Sequence, residues 1–147
     1  MLNYDTNLYK AEIDRWIDGD TVDMHVDLGF RIHHHCRFRV VRIDAPEIRR
    51  RKGVTDAEVK RGKALTEFLQ SQWPAGTHCI IAARKATDRY GRWLAEIYLE
   101  LPDHDQGAVA IPDEIASRVP AGFEPEGIII NLSDWLIERG LVELYDR

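Results

Sequence analysis

The sequence predicts a mainly β domain of the α+β class, in which five strands form a barrel and a helix connects the third strand to the fourth. Short runs of alternating apolar and polar residues occur before and after one segment with helical spacing. The chain has 147 residues, of which 44% are hydrophobic, enough to build one packed core. We therefore predict a single domain over residues 1–147.

Three strands are predicted in the first third of the chain. Residues 9–16 end at Asp18-Gly19, a dipeptide typical of tight turns. A second strand follows, because residues 22, 24 and 26 are apolar and alternate with polar ones. A turn at residues 28–30 leads to a third strand over residues 36–43. Strands joined by short turns form a meander, the usual start of an antiparallel barrel.

A helix is predicted after Pro46. Thr55 and Glu58 have the spacing of a capping box, and Pro74 and Gly76 follow the last turn. Apolar residues recur between these limits at helical spacing: Ala64, Leu65, Phe68 and Leu69.

Two more strands are predicted at residues 79–83 and 94–99, separated by a turn at 88–91. A short strand at 128–130 precedes a last helix, for which either Asn131 or Ser133 can be the N-cap. With a short helix at 112–118, the chain would have about three helices. Five strands with a helix between the third and fourth match the OB-fold, a barrel that often binds nucleic acids.

The charge of the chain is unevenly distributed. Residues 101–127, which hold four of the six prolines, carry six acidic residues and one arginine, and we predict an acidic, proline-rich surface insertion there. Their net charge of −5 equals that of the whole chain. Residues 47–63 are basic by contrast, and the run at 49–52 is either a solvated loop or a surface that attracts phosphate.

Two segments contain charged residues where apolar ones would be expected. Asp20 has the same parity as the apolar residues of the second strand, so its carboxylate lies at the end of a buried face and needs a partner such as a cation. Arg39 shares its parity with Val41 and Ile43, which predicts a guanidinium directed into or across the barrel. A buried arginine needs a carboxylate or a phosphate. Asp20 and Asp44 supply hard oxygen ligands suited to Ca²⁺.

A third segment, residues 87–92, reads as a turn with solvated charges unless Arg92 lies near Arg39. Two guanidinium groups could then hold the oxygens of one phosphate.

The three segments together resemble the staphylococcal nuclease (thermonuclease) family. The matching residues are Asp18-Gly-Asp-Thr21, the strand of Arg39 ending in Ile43-Asp-Ala-Pro-Glu47, and Asp88-Arg-Tyr-Gly-Arg92, in family order and spacing. The similarity covers roughly residues 9–99 and 128–142. It implies a Ca²⁺-dependent nuclease that cleaves DNA, RNA or both without sugar specificity, by in-line attack of water.

The resemblance also implies roles for individual residues. Asp20, Asp44 and the backbone carbonyl of Ala45 would bind the metal. Arg39, Glu47 and Arg92 would be catalytic, with Glu47 orienting or deprotonating water. Arg89 and Tyr90 would contact the substrate, and Tyr145 is the candidate for stacking on a base.

Other functions were weighed against this one. Degenerate domains of this kind bind nucleic acid without cutting it and typically lose a metal carboxylate or an arginine. This chain retains all five of the corresponding residues: Asp20, Arg39, Asp44, Glu47 and Arg92. A protein-interaction role for the insertion is neither supported nor excluded. We expect a monomeric, intracellular protein, cytoplasmic or phage-encoded, since the sequence has no secretory signal and no apolar run long enough to span a membrane.

Two features lie outside this interpretation. His33-His34-His35 suggests a transition-metal site, but neighbouring strand residues face opposite ways, and a solvated loop is the favoured interpretation. Cys36 and Cys79 are expected to be buried free thiols, although one disulfide between them remains open.

Overall fold

The computed structural model of the chain describes residues 6–101 and 127–145. These residues form eight strands and two helices: β1 (Thr6–Asp18), β2 (Thr21–Asp27), β3 (His33–Val40), β4 (Ile43–Asp44), α1 (Asp56–Gln72), β5 (His78–Thr87), β6 (Trp93–Glu100), β7 (Ile129–Asn131), α2 (Leu132–Glu138) and β8 (Glu143–Leu144).

Five of the strands close into a barrel. β1 pairs antiparallel with β2 and β5, β2 pairs with β3, and β5 pairs with β6. The barrel closes where β3 meets β6 in parallel. The short strand β7 extends β6, and β4 pairs with β8 in a separate two-stranded sheet. The predicted mainly β, five-stranded barrel of the OB type is confirmed.

The core fills the inside of the barrel and extends to the buried faces of α1 and α2. Val22, Met24 and Val26 are buried on one face of β2, as their alternation predicted. Trp73, at the end of α1, is 2% exposed; its indole Nε1 donates to the carbonyl of Glu100 at 2.8 Å, and its ring meets Trp135 of α2 edge-on. The two helices therefore pack against each other and against β6.

Both helices begin at predicted caps. Thr55 Oγ1 accepts from the backbone N–H of Glu58 at 3.1 Å, so half of the predicted capping box is formed. Asn131 caps α2 by accepting from the N–H of Asp134. The alternative cap, Ser133, is used differently: its hydroxyl donates to the carbonyl of Val41 at 2.7 Å, which ties α2 to the end of β3.

Two details of the predicted strands were wrong. The third strand does not continue to Ile43, because β3 ends at Val40 and Arg42 adopts a left-handed conformation with φ of 69°. The three consecutive histidines lie in β3 rather than in a loop.

The described residues cover the other predictions only in part. The proposed insertion at 101–127, including its short helix, lies outside them except at the two ends, and two helices are formed in the described part against about three expected. Cys36 and Cys79 are free thiols, the first half-buried and the second buried. In the described ranges, no helix is long and apolar enough to cross a membrane.

Candidate active site

Asp20 lies in the tight turn between β1 and β2, with only 7% of its surface exposed. Its carboxylate accepts hydrogen bonds from the backbone N–H of Ala45 at 2.8 Å and from the hydroxyl of Thr21 at 3.1 Å. The turn is close-packed, because a Cβ on Gly19 would stand 2.7 Å from that of Ala45. The buried carboxylate is therefore held against the segment that carries Asp44.

A second acidic side chain, Asp18, faces the same cavity. Burial, together with the nearby charge of Asp20, raises the pKa of Asp18 from 3.8 to about 7. Asp18 was not among the predicted site residues, although it stands two positions before Asp20 in the same motif. Such a concentration of negative charge favours a bound cation.

Asp44 and Ala45 are positioned by the small β4–β8 sheet. Asp44 pairs with Glu143, and Ile43 pairs with Leu144. Partial burial, and then the charge of Asp20, raises the pKa of Asp44. The short sheet thus places a second carboxylate beside Asp20, where its charge costs free energy in the absence of a counter-ion.

Arg39 reaches the site from the outer face of β3. Its guanidinium donates to the carbonyls of Val40 and Ile43, both at 2.7 Å, and lies 3.5 Å from Asp20 Oδ2. The predicted direction into the barrel was wrong, because Phe38 and Val40 fill the interior. A turn at residues 41–42 interrupts the strand, so Val40 and Val41 are both buried and the parity of Val41 and Ile43 does not extend to Arg39.

Arg92 is oriented by Asp88 across a tight turn. Arg92 Nε donates to Asp88 Oδ2 at 2.6 Å, and Arg92 Nη1 donates to the hydroxyl of Thr21 at 3.2 Å. Partial burial acts to raise the pKa of Asp88, but hydrogen bonds from the backbone of Arg92 and Tyr90 and from the guanidinium hold it below its usual value. Thr21 directly opposes Arg39 on β3, so it links the two arginines.

Glu47 is held between a loop arginine and helix α1. Its Oε1 contacts Nη2 of Arg51, and its backbone N–H donates to Glu58 Oε2 at 3.0 Å. Gly62 of α1 allows the close approach, since a Cβ there would stand 2.3 Å from the carbonyl of Glu47. These contacts were not predicted. Glu58 had been assigned to the helix cap, and Glu47 and Arg51, four residues apart in a loop, have no defined relative geometry.

The basic run that contains Arg51 is partly neutralised. Arg51 contacts Glu47, and Arg50 Nε lies 3.1 Å from Asp56 Oδ1. Two of the four basic residues at 49–52 therefore form ion pairs within the chain. This outcome is intermediate between the two predicted alternatives, a solvated loop and a surface that attracts phosphate.

All eight predicted site residues line one open cavity of about 850 Å³. Arg89 and Arg92 lie over the ring of Tyr90, which is 68% exposed, and Arg39 lies 5.5 Å from the ring centre of Tyr145. The cavity is lined by seven arginines against five acidic residues: Arg37, Arg39, Arg42, Arg51, Arg84, Arg89 and Arg92, and Asp18, Asp20, Asp44, Glu47 and Asp88.

This arrangement suits a phosphate ester and a hard cation together. The carboxylates of Asp20 and Asp44 and the carbonyl of Ala45 are oxygen donors, which Ca²⁺ prefers. Burial, and then the charge of Asp20, raises the pKa of both Asp18 and Asp44, so their ionised forms gain from a nearby cation. The facing guanidinium groups can hold an anion over the same cavity.

Comparisons with known proteins agree with this geometry. Residues 37–146 match the family model described as staphylococcal nuclease homologue. Protein ParB of Escherichia coli is 31% identical over 136 residues, which cover 92% of this chain and 57% of that protein. The chain thus spans little more than half the length of this relative.

Proposed function

The chain belongs to the staphylococcal nuclease homologue family, and we propose that it is an active, calcium-dependent nuclease that hydrolyses phosphodiester bonds of DNA, RNA or both. One observation carries the proposal: Arg39 and Arg92 meet the paired carboxylates Asp20 and Asp44 in a single cavity. A binding domain would need the cationic residues but not the paired carboxylates.

In the proposed reaction, Asp20, Asp44 and the carbonyl of Ala45 would hold the calcium ion, whose charge would offset the negative charge of the phosphate. Arg39 and Arg92 donate hydrogen bonds to the phosphate oxygens and stabilise the transition state. Because Arg39 is itself fixed by two carbonyls, its guanidinium changes position little as charge develops.

Glu47 orients the attacking water or accepts its proton, and Arg51 and Glu58 keep the loop of Glu47 in place. Arg89 and Tyr90 contact the nucleotide next to the scissile bond, and Tyr145 offers a ring on which a base can stack. The positive lining of the cavity supports a polyanionic substrate despite the net charge of −5.

Cleavage of single-stranded DNA and RNA oligonucleotides, with Ca²⁺ or with EDTA, tests the proposal. We expect cleavage with Ca²⁺ alone and a roughly 100-fold or greater loss of kcat in Arg39→Ala, equivalent to about 3 kcal/mol of barrier. Arg39→Lys and Arg92→Lys should also lose most turnover, because an ammonium cannot bind two phosphate oxygens in the same plane.

The matched control is Arg15→Ala, which removes an exposed arginine of β1 outside the cavity and should keep full activity. If the wild-type chain binds the oligonucleotide but does not cleave it in the presence of any divalent metal, the protein is a binding domain and the proposal fails.

A further inference from the structure

The outer face of the barrel carries a second cluster of metal-binding side chains. His25 of β2 stands directly opposite His35 of β3. Their imidazole rings are stacked, with centroids 4.3 Å apart and planes inclined by 16°. Opposed positions on neighbouring strands bring two side chains within reach of one ligand.

Asp14 completes the cluster because β1 has a bulge at this point. The β1–β2 register slips between Ile13 and Arg15. Ile13 and Trp16 both face the core, so the two residues between them both face outward. Asp14 Oδ2 thereby lies 2.9 Å from Nε2 of His35, and its Oδ1 lies 3.9 Å from Nε2 of His25.

We propose that Asp14, His25 and His35 bind a divalent transition-metal ion of the zinc type. Their ligand atoms all lie within 4.8 Å of one another. Tetrahedral zinc, with bonds of about 2.0–2.2 Å, needs ligand atoms about 3.3–3.5 Å apart. Small rotations of exposed side chains supply that change, and the fourth position stays open to water.

The donor set separates this site from the proposed calcium site. Two imidazole nitrogens and one carboxylate suit zinc, copper or nickel, whereas calcium prefers oxygen ligands alone. None of the three residues lines the active-site cavity. His35 is four residues from Arg39 along β3, which corresponds to about 13 Å. Occupancy of one site therefore does not require the other.

The surroundings of the cluster contain both signs of charge, and the exposed Arg15 beside Asp14 is one of the cations. Glu12 stands opposite His25 on β1 and adds a carboxylate whose nearest described partner is His78, at 3.4 Å. The next cationic side chain along β3, Arg37, is held by Asp23 at 2.8 Å. The carboxylate of Asp23 thus compensates the positive charge of Arg37 near the cluster.

The three-histidine run contributes only one ligand, which explains why its sequence pattern was ambiguous. Adjacent residues of β3 alternate between faces, so His34 is on the opposite side from His35. His33 shares the face of His35, but it stands opposite Asp27, two residue pairs further along the hairpin. The site combines residues from three strands, a combination that the run does not reveal.

Zinc binding should be measured by calorimetry on protein without a histidine tag, with Ca²⁺ in excess to fill the carboxylate site. We expect one zinc ion per chain, and roughly tenfold or greater loss of affinity in His25→Ala and in His35→Ala. His33→Ala is the matched control and should bind zinc like the wild type. Absence of binding by the wild type, or equal affinity in all four proteins, would overturn the proposal.

Spectroscopy of the Cu²⁺ form distinguishes ligation from an effect on folding. Electron paramagnetic resonance of the wild type should show hyperfine coupling to two imidazole nitrogens, and His35→Ala should show one, with an unchanged circular dichroism spectrum. The same two-nitrogen signal in His35→Ala would show that the copper is bound elsewhere and would refute the site.

Discussion

At the scale of single residues, Asp18 carries an energetic cost that the motif alone does not show. Its carboxyl retains a proton up to a pH of about 7 in the folded chain but only to about 3.8 in the ordinary case. Between those values the folded state binds more protons than the unfolded state. The free energy of unfolding therefore falls as the pH rises from about 4 to 7.

Asp18→Asn should stabilise the calcium-free protein at pH 8 by on the order of 2 kcal/mol, because it removes the cost of burying the charged carboxylate beside Asp20. Asparagine removes the charge and keeps an oxygen that can accept from the N–H of Asp20. Urea denaturation in EDTA at pH 5 and pH 8 checks this, and the gain should be smaller at pH 5.

Asp23→Asn provides a control of opposite sign. The hydrogen bonds from Arg37 lower the pKa of Asp23, so its charge stabilises the fold above the unfolded pKa and this contribution is lost as the pH falls. Asp23→Asn should therefore lower the free energy of unfolding at pH 8. Stabilisation by both variants would contradict the explanation given for Asp18.

Arg39 shows how far residue-level prediction reaches. The presence of Arg39, Asp20 and Asp44 in one site followed from the motifs, whereas the direction of Arg39 did not. The error came from Arg42, a non-glycine residue with positive φ that interrupts the strand without any sequence signal. Parity arguments hold only within an uninterrupted strand, as they did for Val22, Met24 and Val26.

At the scale of elements, α1 positions the loop that carries Glu47 as well as packing against the core of the barrel. Its Gly62 lies against the carbonyls of Pro46 and Glu47, and its Glu58 accepts from the N–H of Glu47. The helix itself was predictable from its cap and spacing. Its contact with the loop was not, because a glycine inside a helix indicates a close approach without naming the partner.

Gly62→Ala should reduce both stability and activity. Alanine is favoured in a helix interior by about 1 kcal/mol, but its Cβ would stand 2.3 Å from a backbone oxygen. The loop or the helix must move, so we expect a lower melting temperature and a kcat reduced by about tenfold or more. Thermal unfolding and oligonucleotide cleavage measure the two effects.

Lys63→Ala is the matched control, since it replaces the neighbouring exposed residue of the same helix and should change neither property. Gly62→Ala with full activity and higher stability would show that the loop adapts freely to the helix.

At the scale of the whole molecule, Arg42 joins parts of the chain that are distant in sequence. Its guanidinium donates to Glu96 of β6 at 2.6 Å, to Asp134 of α2 at 2.8 Å and to Asn131 at 3.2 Å. Burial acts to lower the pKa of Arg42, but its hydrogen bond to Asp134 and the charge of Glu96 outweigh this and leave the pKa raised. The barrel, the turn after β3 and α2 therefore share one ionic contact.

Arg42→Ala should lower the free energy of unfolding by about 2 kcal/mol through the loss of these charged hydrogen bonds. Arg42→Gly loses the same contacts but removes the strain of φ at 69°, and it should recover about 1 kcal/mol of that loss. Urea denaturation compares the two. Equal losses would mean that the left-handed conformation costs nothing here.

The order of elements along the chain was predictable because local turns and one helix specify it. The pairings that close the barrel were not fully predictable, since the β1–β5 pair, the parallel contact between β3 and β6 and the β4–β8 pair join segments with no shared turn. Long-range pairing of two-residue strands leaves almost no pattern in a sequence. Tyr145 enters the cavity through this pairing, which is why its register was open before.

The β4–β8 pair also ties the cavity to the order of protein synthesis. A ribosome adds about 5–20 residues each second, so Asp44 emerges roughly 5–20 seconds before Glu143, its partner across the sheet. Until then the nascent chain, surrounded by messenger and ribosomal RNA, lacks the strand that fixes Asp44 and Ala45. Translation thus separates the synthesis of the proposed metal-binding segment from the completion of the cavity in time.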